Sequence, residues 1–366
     1  MTPEPVDYPC WPGPFRYVTV VLNRQGTNVT READNRSSAV KITDVAAAAG
    51  VAPMTVSRVI NTPDRVSPET TAKVRAAIER LGYVPNLIAG GLSSRKSKMV
   101  AAVVPTIAHP MFSGVVQSFS ATMRQNGYQV LLSISGYTDR DDESMFRALL
   151  GRRPDALLIT GSGYTPGAIQ MLMEARIPVV EVWDTSSRPI DMMVGFDHTQ
   201  VGEEVAAFFL SRGFERFATL HAGDSRAVKR TRGFIDAIAK AGKPLVFEET
   251  LPAPSTIAVG RQGFRDMMHV LDQRCALFCS SDLTAFGVVT EARVHGIKVP
   301  EQLAVCGFGN LEIAEMSEPP ITTVSLDGAG TGRTAAEFLL ARLNGETTVE
   351  SDKIRVPFEI IERATT

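Results

Sequence analysis

Cysteine is scarce in this chain, four in 366 residues, and the four form no framework. Cys10, Cys275, Cys279 and Cys306 make no CxxC pair and have no paired histidines to join them. A disulfide scaffold and a zinc site are both excluded as organising features, and the thiols read as buried or incidental ones of a reducing cytosol. No apolar run reaches the roughly 18 residues that suggest a membrane-spanning helix. The first 38 residues lack the basic start and apolar core of a signal peptide. Catalytic signatures are missing as well: there is no GxSxG, no P-loop, no HExxH and no GxGxxG after the first strand. The expectation is a cytoplasmic, nucleoid-associated chain that is not an enzyme and uses no cofactor, no metal and no membrane.

What is present begins at Lys41. The stretch KITDVAAAAGVAPMTVSRVINTPDRVSPETTAKVRAAIERLGYVPN carries helical periodicity broken at fixed points. Ile42–Ala49 reads as a helix with Val45, Ala46 and Ala49 on one face, ended by Gly50, the residue that adopts a left-handed turn at least cost. A second helix is expected from about Met54 to Ile60, with Val56 and Val59 inward. Ser67-Pro68-Glu69 supplies an N-cap and a first-turn proline for a third helix over 68–81. Two short helices joined by a glycine-bearing turn make a helix-turn-helix, whose second helix enters the DNA major groove. Pro53, Met54, Thr55, Ser57 and Arg58 fall on its leading, outward part, with Asn61 just beyond. Arg58 can pair two donors with guanine, while Thr55, Ser57 and Asn61 suit phosphates or base edges. Thr43, Arg65 and Ser67 complete the expected contact set.

Charge supports that division. The chain as a whole carries −2, but residues 41–98 hold nine basic against four acidic side chains, a net of +5, leaving about −7 beyond residue 98. A basic end on an acidic body concentrates phosphate attraction at one place.

TVSRVIN followed by GYVPN and a short Ala/Leu segment resembles the LacI/GalR family of bacterial repressors. That resemblance implies a hinge helix after the headpiece that pushes a leucine into the minor groove at the operator centre. Here Asn86, Ala89 and Leu92 occupy that segment, with Leu92 as the wedge. Gly90 and Gly91 depart from a helical hinge, each costing about 1 kcal/mol relative to alanine, so the hinge is expected to fold only on operator DNA.

Beyond Ser97 the pattern alternates strand and helix. MVAAVVP, QVLLSIS, DALLITG and PVVEVW are short Val/Ile-rich runs, with helices expected near Met111, Asp139 and Pro166 between them. A second series follows: MMVGFD, FATLHAG, LVFEETL, ALFCSSD and AVCGFG. Strands buried on both faces and separated by helices imply parallel sheets. The expected fold is α/β: an all-α helix-turn-helix headpiece, and a core of two doubly wound parallel-sheet subdomains that resembles the periplasmic-binding-protein-like core of this family. Expected boundaries are a disordered extension at 1–38, the headpiece at 39–85, the hinge at 86–97 and the core at 98–366. Within the core, subdomain 1 takes about 98–196 and 327–345, and subdomain 2 about 198–325 and 346–366.

Ligands in open α/β sheets bind past the carboxyl ends of strands. His109, Met111 and Phe112 follow the first strand, where His109 either donates to a ligand or is solvated, and Phe112 is more readily core. Trp183 and Asp184 follow the fourth; an aromatic beside a carboxylate suits a polyol, with a surface turn as the alternative. Asp197 is a contact or the N-cap of the next helix. The resemblance implies that Arg230, in RTRGF, binds the effector, with Arg226 and Arg232 as weaker candidates. It adds Ser281 and Asp282 in CSSD, and Phe308 and Asn310 in GFGN. Sugar-responsive members usually carry an aspartate near Gly309. Its absence, with Arg230 kept, favours an anionic effector. Several strings (MTVSR, PVVE before Trp-Asp, VGFD, GFGN) are similar to those of gluconate-responsive members. The expected partners are double-stranded operator DNA, a sugar acid such as gluconate and a second copy of the chain in a homodimer. A sugar phosphate, a neutral sugar, or a periplasmic-type solute-binding role are the alternatives.

Overall fold

The computed structural model describes residues 40–84, 96–137, 141–161, 163–186, 188–346 and 352–366. The expected extension at 1–38 and the hinge residues Asn86, Ala89 and Leu92 lie outside these. The chain divides into two compact units, up to Asn86 and from Leu87 onward.

The described residues of the first unit form three α-helices, α1 (Ile42–Ala49), α2 (Pro53–Asn61) and α3 (Pro68–Leu81). At the start of α1 the Lys41 N–H donates to the Asp44 carboxylate at 2.8 Å. At its end Gly50 turns left-handed, φ 67°, and the Val51 N–H closes on the Ala46 carbonyl at 3.0 Å. Proline opens both α2 and α3, where no N–H is needed. Ser67 caps α3 by accepting from the Thr70 N–H. Val45, Ala46, Val56, Val59, Val74 and Ala77 close over one another as a small core.

The described residues of the second unit form two six-stranded sheets. The first contains β1 (Met99–Val104), β2 (Gln129–Ile134), β3 (Ala156–Thr160), β4 (Val179–Val182), β5 (Met192–Gly195) and β11 (Lys353–Arg355), in the order β11-β5-β4-β3-β1-β2, all parallel. The second contains β6 (Phe217–Ala222), β7 (Leu245–Leu251), β8 (Cys275–Cys279), β9 (Leu303–Phe308), β10 (Thr322–Leu326) and β12 (Phe358–Ile361), in the order β12-β10-β9-β8-β6-β7. Only the β10–β12 pair, at the edge, is antiparallel. The first sheet is flanked by α4 (Ser113–Gln125), α5 (Asp142–Leu150), α6 (Pro166–Ala175) and, after the chain returns from the second sheet, α12 (Gly328–Leu343). Helices α7 (His198–Ser211), α8 (Ser225–Lys240), α9 (Ile257–Met267), α10 (Asp282–Val294) and the short α11 (Glu312–Met316) belong to the second. β3, β4, β5, β6, β8 and β9 are buried along their whole length, which is why their sequences are mostly apolar, with Glu181, Thr219 and His221 the polar residues buried within β4 and β6. One apolar cluster joins residues of both sheets, from Val100 and Val182 to Phe278 and Phe308.

The strand in MMVGFD, β5, pairs with β4 in the first sheet before the chain crosses over, inside the expected span of subdomain 1. One boundary departs from the sequence reading. Residues 346–366 do not all belong to the second subdomain, because Lys353–Arg355 pairs with β5. The crossover falls at Val356-Pro357 instead, between β11 and β12. ITTVSL, unmarked in the sequence reading, forms β10.

Among the described residues no helix is long and apolar enough to cross a membrane, and no cluster of His, Cys, Asp or Glu is placed to hold a metal.

Candidate functional site

In the headpiece, inward Val56 and Val59 turn the rest of α2 outward. Pro53, Met54 and Arg58 are exposed, Thr55 and Ser57 half-buried. Asn61 is exposed while its amide donates to the Ser57 carbonyl at 3.0 Å. Thr43 and Arg65 are exposed on the flanking elements. Ser67 is already engaged: it accepts from the Thr70 N–H and donates to Thr70 Oγ1. The face has the chemistry of groove readout, one guanidinium among short hydroxyl and amide side chains.

In the core, strand ends of both sheets converge on a cavity, the place where open α/β sheets take their ligands. His109, Met111, Phe112, Tyr137 and Trp183 line it from the first sheet; His198, Asp224, Arg226, Arg230, Ser255 and Ser281 line it from the second. Seven expected residues meet there: His109, Met111, Phe112, Trp183, Arg226, Arg230 and Ser281.

Its electrostatics follow from burial. Arg230 is 4% exposed, and among the described residues no carboxylate pairs with it. One Nη donates to His198 Nδ1 at 2.9 Å, the other to the Ser280 carbonyl at 3.0 Å, and the guanidinium lies 3.7 Å over the Phe308 ring. Its Nε is buried without a partner. Burial lowers its pKa to about 10, so it remains charged at neutral pH. Arg226 is also buried; its Nε donates to Asp224 at 3.4 Å while one Nη has no partner. Gly161, at φ 79°, leaves the room this guanidinium occupies: a Cβ there would stand 3.2 Å from Arg226 Nη1. Both histidines are neutral. Burial pushes His109 down to about 4, and burial with the adjacent Arg230 holds His198 well below its usual range. His109 is not solvated: its Nδ1 accepts from the Met111 N–H, leaving Nε2–H to donate across the cleft to Ser281 Oγ at 3.1 Å. Burial raises Tyr137 to about 12, keeping its hydroxyl a donor. Two guanidiniums against Asp224 leave an excess of one positive charge.

The remaining expected contacts are placed elsewhere. Asp184 is buried, not in a surface turn, and pairs with Lys229 Nζ at 2.7 Å. Asp197 caps α7, accepting from the Thr199 and Gln200 N–H groups. Asp282 is fully buried and holds the loop after β9, accepting from the Leu311 N–H at 2.7 Å and the Thr323 hydroxyl at 2.6 Å. Asn310 bonds Ser325 and Arg363 and so faces the sheet edge. Phe308 lies beneath Arg230. Arg232 is exposed and pairs with Asp236. Tyr137, His198, Asp224 and Ser255 were missed. Tyr137 and Asp224 stand two or three residues past β2 and β6, so the strand-end rule could have found them.

Comparison with known proteins agrees with both units. Residues 41–86 match the profile described as bacterial regulatory proteins, lacI family, and residues 206–366 match a periplasmic binding protein-like domain. The HTH-type transcriptional regulator GntR of Pseudomonas aeruginosa is 35% identical over 89% of this chain and 95% of its own length. GntR of Escherichia coli K12 is 31% identical over 83% and 92%. The crystal structure of a LacI-family transcriptional regulator from Silicibacter pomeroyi superposes with a TM-score of 0.84 at 31% identity, covering 89% of this chain and 99% of that one. With headpiece, double-sheet core and these relatives in agreement, the chain belongs to the LacI family of DNA-binding transcriptional repressors, which are regulators and not enzymes.

Proposed function

We propose that this repressor binds a monoanionic sugar acid, gluconate or a close relative, in the cavity between its sheets, and that this binding controls its affinity for operator DNA. The observation that carries the reading is the pair of buried guanidiniums, Arg226 and Arg230, each with an unused N–H, beside two neutral histidines. A buried cation without a counter-charge is costly, and a ligand carboxylate removes that cost while accepting the unused donors. Asp224, Ser255, Tyr137 and Ser281 suit hydroxyl groups, and the Trp183 ring covers CH faces. The GntR naming of the two relatives points the same way. Two arginines would also accept a phosphate, but an excess of a single charge suits a monoanion better. Thr43, Pro53, Met54, Thr55, Ser57, Arg58, Asn61 and Arg65 are the proposed operator contacts, made by each chain of a homodimer in the cytoplasm.

Fluorescence anisotropy of labelled operator DNA, titrated with protein in the presence and absence of gluconate, tests the coupling. The expected result is a change in operator affinity of roughly 5–150-fold, the usual span of allosteric coupling. Unchanged affinity with gluconate and related sugar acids would remove the effector assignment and leave the DNA function standing.

A further inference from the structure

We propose that His198 is a positioning residue, the tie through which the first sheet sets the place and orientation of the anion-binding Arg230. The proposal deepens the sugar-acid reading and rests on it. His198 is the first residue of α7, just after the chain crosses from the first sheet, and it is 2% exposed. Its Nε2 lies 2.8 Å from the Trp183 carbonyl oxygen, and its Nδ1 lies 2.9 Å from an Arg230 Nη. A carbonyl only accepts and a guanidinium only donates. A single tautomer therefore satisfies both contacts: the proton sits on Nε2, and Nδ1 is the acceptor. An imidazolium would set a donor against the guanidinium.

Both ends of this tie are fixed. Trp183 holds a left-handed backbone, φ 69°, a conformation costly for a residue with a Cβ and kept only where the surroundings impose it. Its ring is wedged edge-on between Phe112 and Phe196. On the other side α7 and α8 touch backbone to backbone: a Cβ on Gly202 would stand 1.9 Å from the Arg230 carbonyl oxygen, and one on Gly233 2.2 Å from that of Thr199. These contacts set His198 and Arg230 in register. Arg230 is thus aimed by Trp183 from the first sheet, through His198, and by Ser280 and Phe308 from the second. A rotation of one sheet relative to the other shifts these partners apart and re-aims the guanidinium. An anion that binds only one aim of Arg230 must favour one arrangement of the sheets.

The test uses the full chain with His198→Asn and His198→Gln. Asn places an oxygen where Nδ1 stood, so it keeps the acceptor for Arg230 and loses the donor to Trp183. Gln reaches to the Trp183 carbonyl and loses the acceptor beside Arg230. His198→Gln is expected to weaken gluconate binding by about tenfold or more in calorimetry. His198→Asn is expected to weaken gluconate binding less than His198→Gln does, while the gluconate effect on operator affinity shrinks by about tenfold. Nitrogen-15 NMR of histidine-labelled wild type, with the variants assigning the His198 signal among five, should show the neutral Nε2–H form. Wild-type binding and response in both variants would overturn the proposal. So would equal loss of binding and response in both, the behaviour of a merely structural histidine, or an Nδ1–H tautomer. If the variants do not fold, His109→Gln and His221→Gln remove the signals of the two other imidazoles whose nitrogens are both hydrogen-bonded, and the signal that remains decides the matter. Wild-type indifference to gluconate would defeat the sugar-acid reading, and the tautomer would then decide the tie separately.

Discussion

At the scale of single residues, the cavity is a place where burial decides protonation. His109 and His198 are held neutral in the fold, while in the unfolded chain they protonate near pH 6.5. The unfolded state therefore takes up more protons as pH falls below about 6.5, and stability is lost in that direction, until for His109 the folded value of about 4 is passed. Asp282 acts oppositely. Burial raises its carboxyl to about 6, so the folded state takes up the proton first and gains stability as pH falls from about 6 towards 4. His109→Gln isolates one of these contributions. Between pH 7 and pH 5 the wild type should lose about 2 kcal/mol more than the variant, measured by denaturant unfolding of both at each pH. Parallel pH profiles would show that His109 is not held neutral. Of these residues, Arg230 was legible in the sequence because a motif marked it. Asp184, Asp197, Asp282 and Asn310 were not, because a carboxylate or amide past a strand end caps, pairs or holds a loop as readily as it faces a ligand. Only the partner distances separate these roles.

At the scale of elements, punctuation made the headpiece legible. Gly50, Pro53, Ser67, Pro68 and Gly82 mark its helix ends, and α1 and α3 begin and end where those residues require. Most strands of the sheets were legible, β10 and β11 apart. β11 is three residues long, and nothing in so short a segment says which sheet takes it. Likewise, the glycines inside the core helices read as ordinary packing, while three helix pairs meet through them: α7 with α8, α9 with α10 at Gly260 and Gly287, and α4 with α12 at Gly332. A Cβ at any of these would fall under 2.4 Å from a neighbouring atom. Gly233→Ala should therefore destabilise the core by about 1–3 kcal/mol and weaken gluconate binding, since it pushes α8 and Arg230 away from α7. Thermal unfolding and calorimetry of this variant check both effects. An unchanged midpoint would show that the helices can separate at no cost.

For the whole molecule, regulation requires that one end sense a ligand and the other grip DNA. The basic headpiece on an acidic core separates those tasks in the sequence itself. A pseudo-palindromic operator asks for two headpieces, and β2 offers a means of self-association: it is the edge strand of the first sheet, with Leu132 and Ile134 exposed. Sedimentation at micromolar concentration should give the mass of a dimer, and Leu132→Lys combined with Ile134→Lys should give that of a monomer if this edge is the interface. Regulation by a sugar acid requires above all that the cavity be made for an anion. Gluconate and glucitol share a carbon chain and its hydroxyls, and differ in a carboxylate against a neutral alcohol. Calorimetry of the purified protein with each therefore tests the charge alone. Gluconate should bind at least about 30-fold more tightly, the roughly 2 kcal/mol or more that pairing a buried charge supplies, and Arg230→Gln should erase that preference. Equal affinity for the two ligands, or a preference for glucitol, would contradict it.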